Sequence, residues 1–276
     1  FYPRITAESG SVLDARQHFK FPVGPSKGRC NICGQETDLT ENHVPPKAWA
    51  QGIALRVSSV ADAISGEKKP RSHKMPNGVC FRSICRTCNG SVLSRYDKAL
   101  VSMSRQVTEI LRDRSKVTYY QSIRIQPQLV ARGVLGHMSS VGLNRYDERH
   151  SQHLFDDRSD LLRQVRLHYW VYPYSGRTVL RDFGLGILGG KGSSAIYVLK
   201  AYPLAFAMVW NRDFQFEDWQ PQSFDPFAGF EPDQEANLPL EFVGLPGQVW
   251  PEHVQGNTFA VLHSDGAFVA TEKGRG

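Results

Sequence analysis

Four of the five cysteines fall into two Cys-x-x-Cys pairs, Cys30/Cys33 and Cys85/Cys88. Thiolates spaced this way leave one tight turn together and can grip one tetrahedral ion, so the pairs read as a single structural Zn²⁺ site of four sulfurs. A lone pair would also fit a redox motif; two pairs at opposite ends of one segment favour a metal staple. Between them, in Thr-Glu-Asn-His-Val-Pro-Pro-Lys (residues 40–47), lies His43, with Pro45 and Pro46 stiffening the chain beyond it. An imidazole with its ordinary pKa of about 6.5 is mostly neutral at pH 7 and can accept a proton from water. The plainer alternative has His43 capping a loop or packing against Trp49. Asn89, directly after the last zinc cysteine, would open a helix, a place asparagine also fills as an ordinary N-cap.

Taken together, Cys-Asn-Ile-Cys-Gly (30–34), Glu-Asn-His-Val-Pro (41–45) and Cys-Arg-Thr-Cys-Asn (85–89) resemble the zinc-stapled branch of the HNH (ββα-metal) endonucleases over residues 28–112. The resemblance implies His43 as general base, and Asn42 and Asn89 as the two ligands of a catalytic Mg²⁺ or Mn²⁺. It implies DNA as the substrate, with RNA left open. Position 42 departs from the family, which more often carries an acid there; a neutral amide is a weaker ligand for a hard cation, and Glu41 is the nearest carboxylate that could compensate. Asn77 stands nearest to the family's central asparagine, which orients the histidine, although it lies further from Cys85 than the commoner spacing. Stand-alone proteins of this type resemble effectors of bacterial antiviral defence, in which regulatory protein partners are expected. The chemistry agrees with the family: phosphodiester hydrolysis needs an activated water, a charge stabiliser for the phosphoryl oxygens and help for the leaving alkoxide. The departure at Asn42 keeps a second reading alive, a non-catalytic zinc-dependent nucleic-acid-binding protein.

These groups need elements to hold them. In a regular strand Asn42 and His43 face opposite ways, so both reach one site only if the strand ends or bulges there. After Asn89, Leu93, Tyr96, Leu100, Met103, Val107 and Ile110 recur at steps of three and four, one face of a helix over residues 90–113. Asp97 lies two turns past Asn89, roughly 12 Å along the axis. It is too far to share an ion with Asn89 and is expected to support the site or the fold instead.

Charge is unevenly divided. Residues 1–125 carry 20 Lys/Arg against 10 Asp/Glu, whereas 126–276 carry 13 against 17. A cationic surface beside a hydrolytic centre favours a polyanionic substrate. The candidate contacts are Lys47, Lys68, Lys69, Arg71, Lys74, Arg82 and Arg86, densest in the turn-rich stretch 65–74, for which a merely solvated loop is the equal alternative.

The fold class is α+β: an N-terminal arm (1–27, with a short helix over Ser11–Phe19), a zinc-stapled ββα-metal module (28–114), and an antiparallel β-rich α+β domain (115–276) of unassigned role. Strands are expected at 117–125, 167–174, 178–187, 195–202 and 205–210, with a helix over 126–142 and another near 159–165. Asp265-Gly266 signals a hairpin between 258–263 and 267–271. Residues 212–241 hold eight acids, one arginine and several aromatics; either the aromatics complete the β-domain core or the segment docks on the basic module and restrains it. His150 and His153 read as surface residues and Cys80 as a small buried hydrophobe. Gly184-x-Gly-x-x-Gly matches a dinucleotide fingerprint in form alone, because no helix is expected after it. With no apolar run long enough to span a membrane and cysteines arranged for metal, a cytoplasmic protein without a membrane partner is expected. No oligomeric state is legible.

Overall fold

The structure is a computed structural model that describes residues 24–49, 54–60, 72–113, 118–184, 193–216, 219–251 and 267–272. It describes the backbone alone of strands at 5–6, 12–13, 185–187 and 258–262. The chain is a mixed α+β protein with antiparallel sheets. Ile5–Thr6 (β1) and Val12–Leu13 (β2) pair with each other. The helix expected from Ser11 therefore gives way to a strand at Val12–Leu13, where β-branched Ile5, Thr6 and Val12 suit extended pairing.

Lys27–Arg29 (β3), Glu36–His43 (β4) and Cys80–Cys85 (β7) form a three-stranded sheet with β4 in the middle. Between β4 and β7 in the chain come Leu55–Ser59 (β5) and Ser72–Met75 (β6), which pair with each other and leave this sheet altogether. They join a nine-stranded sheet with Arg166–Val171 (β9), Arg177–Ile187 (β10), Ser193–Ala201 (β11), Leu204–Val209 (β12), Gln222–Ser223 (β13), Thr258–Leu262 (β15) and Phe268–Glu272 (β16). The link is β16, whose Phe268–Glu272 runs antiparallel to β5 with Ala270 opposite Val57. Both β15 and β16 pair with β10, one beyond the other along the same edge. The expected hairpin between them is thus absent: two strands lying in succession against one partner run in the same direction. The remaining pair, Tyr120–Ile125 (β8) with Ala236–Glu241 (β14), is antiparallel too.

The helices expected after Asn89, at 126–142 and near 159–165 form, and a further one, Glu148–Phe155, occupies the stretch around His150 and His153 that reads as turn-rich. A π-helical turn, Cys88–Leu93, runs into Ser94–Arg112 (α1), and Pro127 starts Pro127–Ser139 (α2) at a position where its missing N–H costs nothing. Asp147 caps Glu148–Phe155 (α3) by accepting from the Arg149 backbone N–H, and Leu161–Gln164 (α4) is a single turn. Helices α1 and α2 touch through glycine. A Cβ at Gly133 would stand 2.6 Å from Leu100 Cδ1, and one at Gly136 would collide with Leu93 Cδ2. A larger residue at either position would require these leucine side chains to shift.

One core runs without interruption from Cys30, Phe81 and Leu100 to Leu135, Leu167 and Phe206, joining the zinc segment to the large sheet. The opposite face of that sheet carries a second core of Trp170, Tyr172, Phe183, Phe214 and Phe216. Phe224 and Phe227 are buried in the first. Asp225 is gripped by Arg166 (2.9 Å) and Arg212 (3.0 Å), and Glu235 meets Arg124 at 2.5 Å. The aromatics of the acidic segment therefore complete the cores, and these acids pair with arginines outside the zinc segment. His150 and His153 are buried, not at the surface: His150 stacks on Trp210, and His153 is held by Ser159 and Gln164. No helix among the described residues is long and apolar enough to cross a membrane.

Candidate metal centre and candidate active site

Cys30 and Cys33 leave a turn at the end of β3, Cys85 ends β7, and Cys88 opens the π-helical turn. Their four sulfurs lie within 4.8 Å of one another. Cys33 Sγ and Cys85 Sγ are 3.9 Å apart, whereas a tetrahedral ion with Zn–S bonds of about 2.3 Å needs sulfurs roughly 3.8 Å apart. Backbone N–H groups of Cys85 and Cys88 point at Cys30 Sγ (3.3 Å) and Cys85 Sγ (3.4 Å). Such donors favour thiolate over thiol. The donor set is soft, anionic and closed, which fits a structural Zn²⁺. Without a cation, four thiols so close cannot all ionise. The hydrogen bond from Cys88 holds Cys30 down at about 4, burial pushes Cys33 up to about 11, and Cys88 is driven upward by its bond to Cys30. A divalent ion reverses that balance by repaying every deprotonation.

Asn31, inside the first cysteine turn, ties this corner to α2. Its Nδ2 donates to the carbonyls of Ser139 and Gly142, and its Oδ1 accepts from the Arg145 backbone N–H. Ser83 Oγ donates to the Ser140 carbonyl.

Ser83 is also the extra residue of a β-bulge. Thr40 faces Ile84, but Glu41 faces Arg82, Asn42 faces Phe81 and His43 faces Cys80. The extra residue lies on β7, opposite the step from Thr40 to Glu41, and β4 itself ends at His43. The Asn77 main chain stands near enough to the half-buried His43 ring to oppose the fall of its pKa. Asn77 acts on the histidine through its main chain, and the residue itself is exposed. Burial, and then the Lys47 charge, hold the His43 pKa below 6.5 against the opposing pull of Glu41. The imidazole is neutral at pH 7, as a base must be.

Asn89 sits at the start of the π-helical turn and spends both amide N–H groups on β4, on Thr40 Oγ1 (3.2 Å) and the Glu41 carbonyl (3.0 Å). Only its Oδ1 is left to ligate. Asn42 is buried, and its Nδ2 donates to Ser140 Oγ at 2.8 Å. The end of β4 carries Asn42 and His43 and the start of the π-helical turn carries Asn89, and the two amide oxygens are the candidate donors for a hard cation. The nearby acids are engaged elsewhere. Glu41 pairs with Arg82 at 2.8 Å, and Asp97 pairs with the buried His137 at 2.8 Å, so Asp97 braces α1 against α2. Among the described residues the four cysteines are the sole group of three or more His, Cys, Asp or Glu able to hold an ion. The amide oxygens fit Mg²⁺ or Mn²⁺ in kind but supply no charge.

Of the cationic candidates, Lys47, Lys74 and Arg86 are exposed, and Arg82 is half-buried on Glu41. Lys68, Lys69 and Arg71 lie outside the described residues. Cys80, directly across from His43, has its thiol pushed up to about 11 by burial and is inert as a nucleophile. Sequence reasoning missed Asn31, Ser83, His137 and Ser140. The one hint available was a pair of serines, Ser139-Ser140, closing an otherwise apolar helix pattern. No family model matches the chain, and neither a curated protein nor a solved structure matches it.

Proposed function

We propose that this protein is a zinc-stapled, metal-dependent endonuclease of HNH type that hydrolyses phosphodiester bonds in DNA. The observation that carries the reading is His43. It is a neutral imidazole at the end of β4, next to the Asn77 main chain, with Asn42 preceding it in the strand and Asn89 bonded to the Glu41 carbonyl. In this mechanism His43 takes a proton from a water, which attacks phosphorus as the bond to the opposite oxygen breaks; the leaving alkoxide is protonated from solvent. A divalent cation held by Asn42 Oδ1 and Asn89 Oδ1 would supply charge for the phosphoryl oxygens. Lys47 and Arg86 would meet flanking phosphates.

Supercoiled plasmid with Mg²⁺ or Mn²⁺ tests the proposal. Wild type should nick or linearise it, and His43→Ala, still folded and zinc-loaded, should not. One observation favours a second reading: among the described residues the acids near Asn42, Glu41 and Asp97, are paired with Arg82 and His137, which suits a zinc-dependent nucleic-acid-binding protein without catalysis. Binding of plasmid with no cleavage at any metal concentration would select it.

A further inference from the structure

An asparagine that ligates a hard cation must do so through Oδ1, because its amide nitrogen has no lone pair to give. An exposed amide can present either end. Asn42 is not exposed, and what it meets is Ser140.

Ser140 is fully buried just past the last turn of α2, and its main chain is fixed at both ends. Its N–H donates to the carbonyls of Gly136 and His137, and its carbonyl accepts from Ser83 Oγ. The hydroxyl has one proton, and that proton is spent on the His137 carbonyl at 2.8 Å. Toward Asn42 it can therefore only accept. The chain of bonds runs one way, from Asn42 N–H to Ser140 O–H to the His137 carbonyl. Asn42 is thereby obliged to turn its nitrogen to Ser140, leaving Oδ1 as its free end.

We infer that Ser140 is a positioning residue that fixes the amide of Asn42 with its oxygen free for a divalent cation. The inference rests on the reading of Asn42 as a ligand. It gives the amide at this position a reason: a carboxylate would set its own lone pairs against those of Ser140 unless the hydroxyl abandoned His137. It also makes the C-terminal half part of the site, since Ser140 stands 98 residues along the chain from Asn42.

The test is calorimetric titration of Mn²⁺ into the zinc-loaded full chain, with Ser140→Ala and Ser140→Cys each placed in the Asn42 and the Asn42→Asp backgrounds. With Asn42 present, Ser140→Ala should weaken Mn²⁺ binding about five- to tenfold, the scale of one net hydrogen bond. Ser140→Cys, a weaker acceptor, should fall between. With Asp at 42, which offers an oxygen to the cation whichever way it turns, Ser140→Ala should not weaken binding and should tighten it where it relieves the clash of lone pairs. In the Asn42 background the Mn²⁺ concentration that gives half-maximal plasmid cleavage should rise with Ser140→Ala by the same factor, because the bond sets ligand orientation and not proton transfer. Equal losses in both backgrounds would make Ser140 merely structural, and no loss with Asn42 present would remove its role; either overturns the inference. So would a wild-type chain that binds no Mn²⁺. If Ser140→Ala does not fold, Ser140→Cys carries the comparison. Mn²⁺ binding with the predicted Ser140 dependence but without plasmid cleavage would sink the nuclease reading and leave this one standing.

Discussion

Two corners of the same small sheet are built to opposite specifications. At the cysteine corner four anionic donors converge within 4.8 Å. At the His43 corner the candidate donors are neutral amides, and both nearby carboxylates are paired with Arg82 and His137. A site rich in its own charge holds an ion permanently and contributes that binding to folding. A neutral site binds weakly alone and gains most of its attraction when phosphate arrives with its own negative charge. The first metal would belong to the fold and the second to the reaction.

Removing the first metal should have the largest effect. Structural zinc has contributed roughly 10–16 kcal/mol in small peptides, comparable with the stability of a whole domain. Cys85→Ser, or a strong chelator, should abolish cooperative unfolding of the zinc segment, read by calorimetry with zinc content measured alongside. Removing Mg²⁺ or Mn²⁺ should leave the melting curve unchanged. A shared response to both treatments would erase the distinction between the corners.

Next in size is His43→Ala. Loss of a positioned base costs about a hundred- to ten-thousandfold in rate, and plasmid affinity should change little because the phosphate contacts are untouched.

The histidines extend the contrast to the rest of the molecule. His150 and His168 lie in the packed C-terminal half, where burial depresses each from 6.5 to about 4. In the unfolded chain they protonate first as pH falls, so stability declines from pH 6.5 down to pH 4 and then levels. At about 1.4 kcal/mol per unit, each contributes a loss on the order of 3 kcal/mol over that window. Denaturant unfolding at pH 7 and at pH 4.5 should show it, and His150→Phe should lose less stability between the two than wild type. His43, half-buried and still in reach of solvent, is shifted in the same direction by burial and by Lys47.

That gives the smallest prediction. Lys47→Ala removes a charge that lowers the His43 pKa, so the acid limb of the cleavage rate should move to higher pH. An unmoved limb, with plasmid affinity reduced, would leave Lys47 as a phosphate contact alone.

How legible these corners were in the sequence follows from how local they are. Two Cys-x-x-Cys turns specify their own geometry, and the four-cysteine cluster forms as the spacing indicates. The helix stripe from Leu93 to Val107 is buried as its period requires. The bulge at Ser83 lies on β7, where nothing in the sequence marked it. What holds the His43 corner in place was not legible at all. Asn42 meets Ser140, Asn31 meets Ser139, and Asp97 meets His137, and no local periodicity encodes contacts at such separations. The same holds for β5 and β6. Their β-branched, turn-bounded sequence allowed extended chain, but pairing with β16 is decided near the other end of the molecule. His150 and His153 mislead for a related reason, because a polar side chain is buried wherever tertiary partners satisfy it.

The account turns on the His43 corner being catalytic and separate from the zinc. The most direct measurement takes protein carrying one zinc per chain, freed of other metals, and follows supercoiled plasmid as Mn²⁺ is added, for wild type and His43→Ala together. The prediction is no cleavage before Mn²⁺, cleavage that rises and saturates with Mn²⁺ in wild type, and none in His43→Ala at equal zinc content and equal melting temperature. Cleavage that persists in His43→Ala, or that proceeds with zinc alone, would contradict it.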